Sequence, residues 1–240
     1  MLASARSQVA AYPTVAFVAG EATSVEREPD GFAIKLATGD VLRSARLVLA
    51  FGIADELPAI PGLAERWGKS VLHCPYCHGF EFSGQRLGVL NVSPRSIYQA
   101  MLVTEWGPTT FYLHGAAAPD DAALAQLQQR GVAVEPAPVR ALHGEGARLS
   151  AIELSDGRTA GLDALYLGPR THLNSEIAQQ LGCELDEGVF GSIIRTDEAK
   201  MTTVSGAYAA GDITRSAHNV TWASADGVMA GMAVHRSLVF

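Results

Sequence analysis

Apolar and polar residues change their spacing several times along the chain, and each change marks a different element. Leu2, Ala5 and Val9 fall on one face of a helix running to Ala11, and Val15–Val18 then reads as a short buried strand ended by Gly20. Period-two alternation follows over Thr23–Arg27, Phe32–Leu36 and Val41–Leu49, with Pro29-Asp30-Gly31 and Thr38-Gly39-Asp40 as turns, which predicts an antiparallel meander. Leu47–Gly52 is continuously apolar, the pattern of a strand buried on both faces in a parallel sheet. The Pro-rich stretch Leu57–Gly62 is the first expected domain boundary.

A second α/β pattern begins at the strand Arg86–Leu90. Ser93 and Pro94 form an N-cap and first-turn pair for a helix from about Arg95 to Trp106, and Thr110–Leu113 is the next strand. A helix Asp120–Arg130, stopped by Gly131, leads to the strand Val132–Val134. Leu149–Leu154 and Ala164–Leu167 read as a hairpin-like pair, with Ser155-Asp156-Gly157 as the turn signal. From Thr171 onward the pattern predicts a short helix capped by Asn174 and stopped by Gly182. Strands at Ile193-Ile194 and Tyr208–Ala210 follow, then a helix from Asn219 to about Ser237.

Composition narrows the class. The 240 residues are 48% hydrophobic and 18% charged, enough to bury a core as one large or two small domains. A net charge of −7 without a Lys/Arg run argues against a nucleic-acid partner. The apolar run from Leu47 to Ala54 is too short for a bilayer, so no membrane partner is expected. Without a basic segment ahead of an apolar one, no signal peptide is expected either, and three cysteines are an odd count for a secreted disulfide scaffold. A cytoplasmic location is the expectation.

Two of those cysteines carry the sharpest signal: His73-Cys74-Pro75-Tyr76-Cys77-His78-Gly79-Phe80-Glu81. Two residues between thiols allow the second to resolve a mixed disulfide made by the first. Half of a zinc site or two buried structural thiols are the alternatives. Zinc needs about four ligands, and beyond Cys183 the histidines (73, 78, 114, 143, 172, 218, 235) offer no H-x-x-x-H spacing, so the redox dithiol is preferred and no metal is expected. The second signal is Gly206–Ile213. A small-residue strand ending in Gly211-Asp212 lets a ligand approach the backbone, and the Asp212 carboxylate can accept from sugar or polyol hydroxyls. The helix starting near His218-Asn219-Val220 would point its positive end at the same place, which suits a reduced flavin. Alone, Gly-Asp reads better as a strand-end turn with a helix-capping aspartate; beside the CxxC it points to a flavin.

Together, the stretches Leu47–Ile53, Glu56–Gly62, His73–Glu81, Gly206–Ile213 and Asn219–Leu238 resemble the thioredoxin-reductase family of flavoproteins, especially the branch near the gliotoxin-type dithiol oxidases. The resemblance covers nearly the whole chain. It implies an α/β fold: a three-layer ββα flavoprotein-type domain from residues 1–62 and 170–240, with an inserted NAD(P)-binding-like α/β domain, residues 63–169, carrying the CxxC. It implies Cys74, Cys77 and His78 as catalytic, with Cys77 nearer the flavin and His78 standing where commoner reductases carry an acid/base aspartate. Gly52, Gly211, Asp212, His218, Asn219 and Val220 would line the FAD. The substrate would be a small dithiol or disulfide or a thioredoxin-like protein, and a homodimer is a further implication. A flavin-free remnant, acting as an interaction protein or in simple thiol–disulfide exchange, is the alternative.

Departures from the family pattern matter. Phe51 replaces the Thr usual in an Ala-Thr-Gly sequence and is expected to crowd the flavin. No strand followed by G-x-G-x-x-G precedes residue 18, so the domain reads as N-terminally incomplete, lacking its first βαβ unit. After Leu90 the inserted domain's dinucleotide turn reads Asn91-Val92-Ser93-Pro94-Arg95-Ser96, without glycine. His114-Gly115 supplies neither the acid nor the Arg pair expected at the ribose, which makes NAD(P)H use doubtful. Without a phosphate cradle, the 240-residue chain is expected to bind FAD weakly or not at all. Purification as a yellow protein with stoichiometric FAD would refute this.

Overall fold

The computed structural model describes residues 2–240. The chain divides into two compact units, one ending at Ile53 and resuming at Leu173–Phe240, the other Ala54–His172. In chain order the first unit opens with α1 (Leu2–Ala10), which has no buried residue. The meander β1 (Ala22–Glu28), β2 (Gly31–Leu36) and β3 (Val41–Ser44) is antiparallel throughout, and Gly31 closes its first turn where a Cβ would lie 2.0 Å from the Ser44 carbonyl oxygen. The expected strand from Val41 to Leu49 is broken at Ala45-Arg46, and β4 (Leu47–Leu49) leaves the meander. The chain crosses out through β5 (Ile53–Asp55).

Within the second unit come β6 (Val71–Leu72), α2 (Pro75–His78), β7 (Leu87–Leu90), α3 (Ser96–Val103), β8 (Thr109–Tyr112), α4 (Asp121–Gln129) and β9 (Ala133–Glu135). A second meander, β10 (Val139–His143), β11 (Ala151–Leu154) and β12 (Thr159–Gly161), precedes β13 (Ala164–Tyr166). The parallel sheet runs β6-β13-β7-β8-β9. Its alternation sorts side chains into two cores. Leu87, Val89, Phe111, Ala164 and Tyr166 face α3 and α4 with Ala100, Val103 and Leu127. Leu90, Tyr112 and Leu165 face the meander residues Leu142, Ile152 and Leu154. The Leu57–Gly62 connector lies inside this unit, with Ile60 buried in the second core.

The chain returns through β14 (Thr171–Leu173), which forms a small sheet with β5. The first unit then adds α5 (Ile177–Gln180), β15 (Leu185–Glu187), β16 (Ser192–Ile194), β17 (Ala207–Ala209) and α6 (Val220–Val239). β17 pairs in parallel with β4, setting Ala207 opposite Leu47. Ala207 and Ala209 join a core with Val25, Phe32, Leu49 and Ile194, while Tyr208 and Ala210 face Ala230 of α6. Among the described residues no helix is long and apolar enough to cross a membrane.

Four sequence expectations are corrected. Val15–Val18 is not a buried strand: it has no regular structure, and Val15, Phe17 and Val18 are exposed, because β4 has its single partner in β17 and no ladder takes the segment in. Ala164–Leu167 does not pair with Leu149–Leu154; the Ser155–Gly157 turn joins β11 to β12, and β13 goes inside the parallel sheet, between β6 and β7, where its residues can be buried on both faces. The helix after β7 begins at Ser96 with no side-chain cap from Ser93. Asn174 does not cap α5, whose N-cap is Glu176.

Gly88 marks the tightest point of the sheet. A Cβ there would lie 2.9 Å from the Tyr112 ring and 3.1 Å from Leu162 and Leu165. Gly88→Ala is expected to destabilise the protein by about 1–3 kcal/mol through overpacking, read as a lower urea midpoint at unchanged slope.

Candidate active site

The dithiol stands where β6 ends. The His73 carbonyl accepts a hydrogen bond from the Gln99 side chain of α3 at 2.7 Å, which fixes the chain just before Cys74. Cys74 is extended and is the N-cap of α2; Pro75 takes the first helical position, where a missing N–H is not needed. The Cys77 N–H donates to the Cys74 carbonyl at 3.2 Å. Gly79 ends the turn in an ordinary helical conformation, so its glycine is required by space: a Cβ would lie 2.4 Å from the Trp106 indole and 2.6 Å from the Pro75 carbonyl oxygen. Tyr76 meets the same indole edge-on, with ring centroids 5.9 Å apart.

Cys74 is half-buried, Cys77 is exposed, and both are free thiols. The neighbouring Cys74 side chain pushes the Cys77 thiol up to about 11, helped by partial desolvation and by the negative charge of Glu81. Cys77 therefore keeps its proton at neutral pH. His78 places Nδ1 3.6 Å from a Glu81 carboxylate oxygen. The buried Tyr166 hydroxyl reaches the His78 carbonyl at 3.4 Å; burial first, then the charges of Glu81 and Cys74, push it up to about 12, so it too stays protonated. Gln99, Trp106 and Tyr166 arrive from α3, its C-terminal turn and β13, and no local pattern links them to the CxxC. Glu81, three residues past His78 on a turn, could have been found from spacing.

Beyond β7 the dinucleotide turn is closed on itself. The N–H groups of Val92 and Ser93 donate to the hydroxyl of Ser96, at 3.1 and 3.2 Å, and Ser96 is buried. The amides that would hold a pyrophosphate in such a turn are thus already satisfied. His114, at the end of β8, has a left-handed backbone (φ 54°), and its Nδ1 accepts from the Val139 N–H at 3.0 Å, while burial lowers its pKa. A neutral ring with one nitrogen engaged offers little to a nucleotide phosphate. These residues do not fit NADPH.

The first unit holds the other candidate residues. Gly52 follows β4 at φ +73°, and the Asn174 side chain donates to the Phe51 carbonyl at 3.2 Å. Phe51 packs partly into the core of this unit, which draws its bulk inward. After β17 the chain turns at Gly211 (φ +85°, ψ −155°), a conformation open to glycine, into a single 3-10 turn, Asp212–Thr214. The Asp212 Oδ1 atom is buried and has no hydrogen-bond partner. An orphaned buried carboxylate oxygen calls for a donor, and a polyol hydroxyl supplies one. Asn219 caps α6, its side chain accepting from the Thr221 N–H at 2.8 Å, and Val220 is the helix's first residue. His218 lies against Phe190, with centroids 6.0 Å apart. Of these residues, Asp212 beside Gly211 is the one whose unmet acceptor fits a ligand hydroxyl such as a flavin's ribityl chain carries; Asn219 is engaged in its own helix cap.

Comparison with known proteins places this architecture. No family model matches the chain. The solved structure of an oxidoreductase from Agrobacterium tumefaciens is 41% identical, with a TM-score of 0.93, covering 100% of this chain and 80% of that one. The thioredoxin reductase sirT of Leptosphaeria maculans is 28% identical over 237 residues, 92% of this chain and 72% of its own. The chain belongs to the thioredoxin-reductase-like oxidoreductases. It is an enzyme of that class. The thioredoxin reductase tcpT of Claviceps purpurea, 28% identical over 254 residues, matches 99% of the chain and 77% of its own length. Thioredoxin reductases generally bind FAD and NADPH.

The thiol pair gives a pH test. Removing the neighbouring thiol with Cys74→Ala should lower the Cys77 titration midpoint from about 11, so that Cys77 alkylates faster at pH 8 than in the parent protein, followed peptide by peptide in a mass spectrometer. An unchanged or higher midpoint contradicts the assignment of cause.

Proposed function

We propose that this thioredoxin-reductase-like enzyme is a flavin-dependent thiol–disulfide oxidoreductase that works through Cys74 and Cys77. The observation that supports this most directly is the pair of free thiols on one proline-initiated turn, where the Cys77 N–H donates to the Cys74 carbonyl. In the dithiol form Cys77 retains its proton, which makes Cys74 the thiol that opens the exchange. Cys74 attacks one sulfur of a substrate disulfide; that bond breaks, a mixed disulfide forms, and the departing sulfur takes up a proton. Cys77 then loses its proton and attacks the Cys74 sulfur, which breaks the mixed disulfide and releases the second substrate thiol. The protein dithiol has lost two electrons and two protons, and the substrate has gained them. Run in reverse, the same steps oxidise a substrate dithiol.

His78, adjacent to Cys77 and facing Glu81, is placed to carry the exchanged proton. Gly52, Gly211, Asp212 and the His218-Asn219-Val220 start of α6 would hold the ribityl and pyrimidine side of FAD. When bound, the flavin supplies the two-electron chemistry that resets the thiol pair. Because the Ser96 turn does not fit NADPH, the reading favours the dithiol-oxidase direction, with molecular oxygen as the terminal oxidant. The substrate is a small dithiol or disulfide, or a thioredoxin-like protein.

A brief disulfide challenge tests the order of steps. Cys77→Ser should accumulate a mixed disulfide on Cys74, whereas the unaltered chain should pass on to a Cys74–Cys77 bond and leave Cys183 free. Stable adducts on both Cys74 and Cys77 of the unaltered chain, with no bond between them, would end this reading; saturable NADPH oxidation would end the oxidase direction.

A further inference from the structure

The first unit contains a buried charge cluster that the redox chemistry does not use. Asp226, on α6, is 1% exposed, yet its carboxylate is fully engaged. Oδ1 accepts from Lys200 Nζ at 2.8 Å and from Arg215 Nη2 at 2.6 Å, and Oδ2 accepts from Arg215 Nε at 3.0 Å. The Thr214 hydroxyl stands 3.3 Å from Oδ2 and 3.0 Å from the Gly211 carbonyl, so its single proton is shared between them. Burial pushes this carboxyl up, and the Arg215 and Lys200 contacts more than cancel that push.

The cluster's partners flank Asp212 on both sides. Thr214 and Arg215 are the end of the turn that Gly211 begins. Lys200 belongs to a tight loop whose carbonyl accepts from the Ala209 N–H at 3.0 Å, at the end of β17 and just ahead of that turn. Lys200 is itself held in a left-handed conformation (φ 66°), unusual for a residue with a long side chain. The Asp197 carboxylate keeps the loop closed by accepting from the Ala199 and Met201 N–H groups at 2.9 and 2.8 Å. Asp212 Oδ1, by contrast, has no partner to hold its direction.

We propose that Asp226 is the positioning residue of the cofactor turn: it ties α6 to both flanks of Gly211–Arg215 and thereby fixes where Asp212 points. Lys200 is a second cation on the same carboxylate. The consequence for ligand binding rests on the reading of Asp212 as a flavin anchor; the locking of the turn does not.

Hydrogen exchange on the ligand-free 240-residue chain separates the two. Asp226→Asn should speed exchange of the amides in residues 211–215 by about tenfold or more, with the β1–β3 meander unchanged. Asp226→Glu, which keeps the charge, should recover most of the protection. Lys200→Gly, which leaves Arg215 on the carboxylate, should change the turn far less. Should Asp226→Asn fail to fold, Arg215→Met read in the same way decides. Unchanged turn exchange in a folded variant, or equal acceleration in turn and meander, overturns the proposal. FAD in large excess, to offset the weak binding expected of this chain, should further protect residues 211–215 of the unaltered chain; if FAD that is seen to bind leaves them unprotected, the flavin reading of Asp212 falls while the exchange data still judge Asp226.

Discussion

A parallel sheet cannot leave either face in water, and the second unit is arranged around that requirement. Leu87, Val89 and Phe111 must be covered on one side and Leu90, Tyr112 and Leu165 on the other, so α3 and α4 take one face and the β10–β12 meander takes the other. Because its strands all run the same way, their ends deliver loops to one edge of the sheet. β6 there delivers Cys74, β7 the turn closed by Ser96, and β8 His114. The Trp106 indole, at the end of α3, presses on Gly79 and holds the dithiol turn against this layer.

Hydrogen-bond accounting separates the parts of the molecule prepared for a ligand from those that are not. The amides of Val92 and Ser93 already have an acceptor in the protein's own Ser96 hydroxyl, and a phosphate would have to displace it. Asp212 Oδ1 is the opposite case: buried, an acceptor, and without a donor. Leaving such an atom unsatisfied costs about 1–3 kcal/mol. Both features occupy turns that follow a parallel strand, so position in the fold does not distinguish them; the local donors and acceptors do.

Much of this was legible in the sequence. The CxxC, the Gly-Asp turn and the 3.6-residue or two-residue spacing of most elements are local patterns, and the family resemblance rested on them. The failures were of another kind. Val15–Val18 has the composition of a buried strand but no neighbour to pair with, and burial is a property of neighbours. Ala164–Leu167 follows a hairpin-like segment yet belongs inside the parallel sheet, a choice made by residues far away in sequence. Ser93-Pro94 is a sound helix start, but the hydroxyl of Ser96 satisfies the turn instead. Around the active thiols, Trp106, Gln99 and Tyr166 carry no signal at all until the fold assembles them.

The discontinuity of the first unit has a consequence for how the protein is made. β4 waits for β17, with Leu47 pairing with Ala207, and the whole of the second unit lies between them. On the ribosome, residues 54–172 have all their own partners early and can collapse as a body. The β1–β3 meander, by contrast, emerges before the second unit and remains without its core partners Ile177, Ile194 and Ala209 until they too are synthesised. Long-range pairing of this kind is slow to form. The core of the first unit therefore closes only after the second unit has been made, and its early apolar residues Val25, Phe32 and Leu49 need shielding from other chains in the interval.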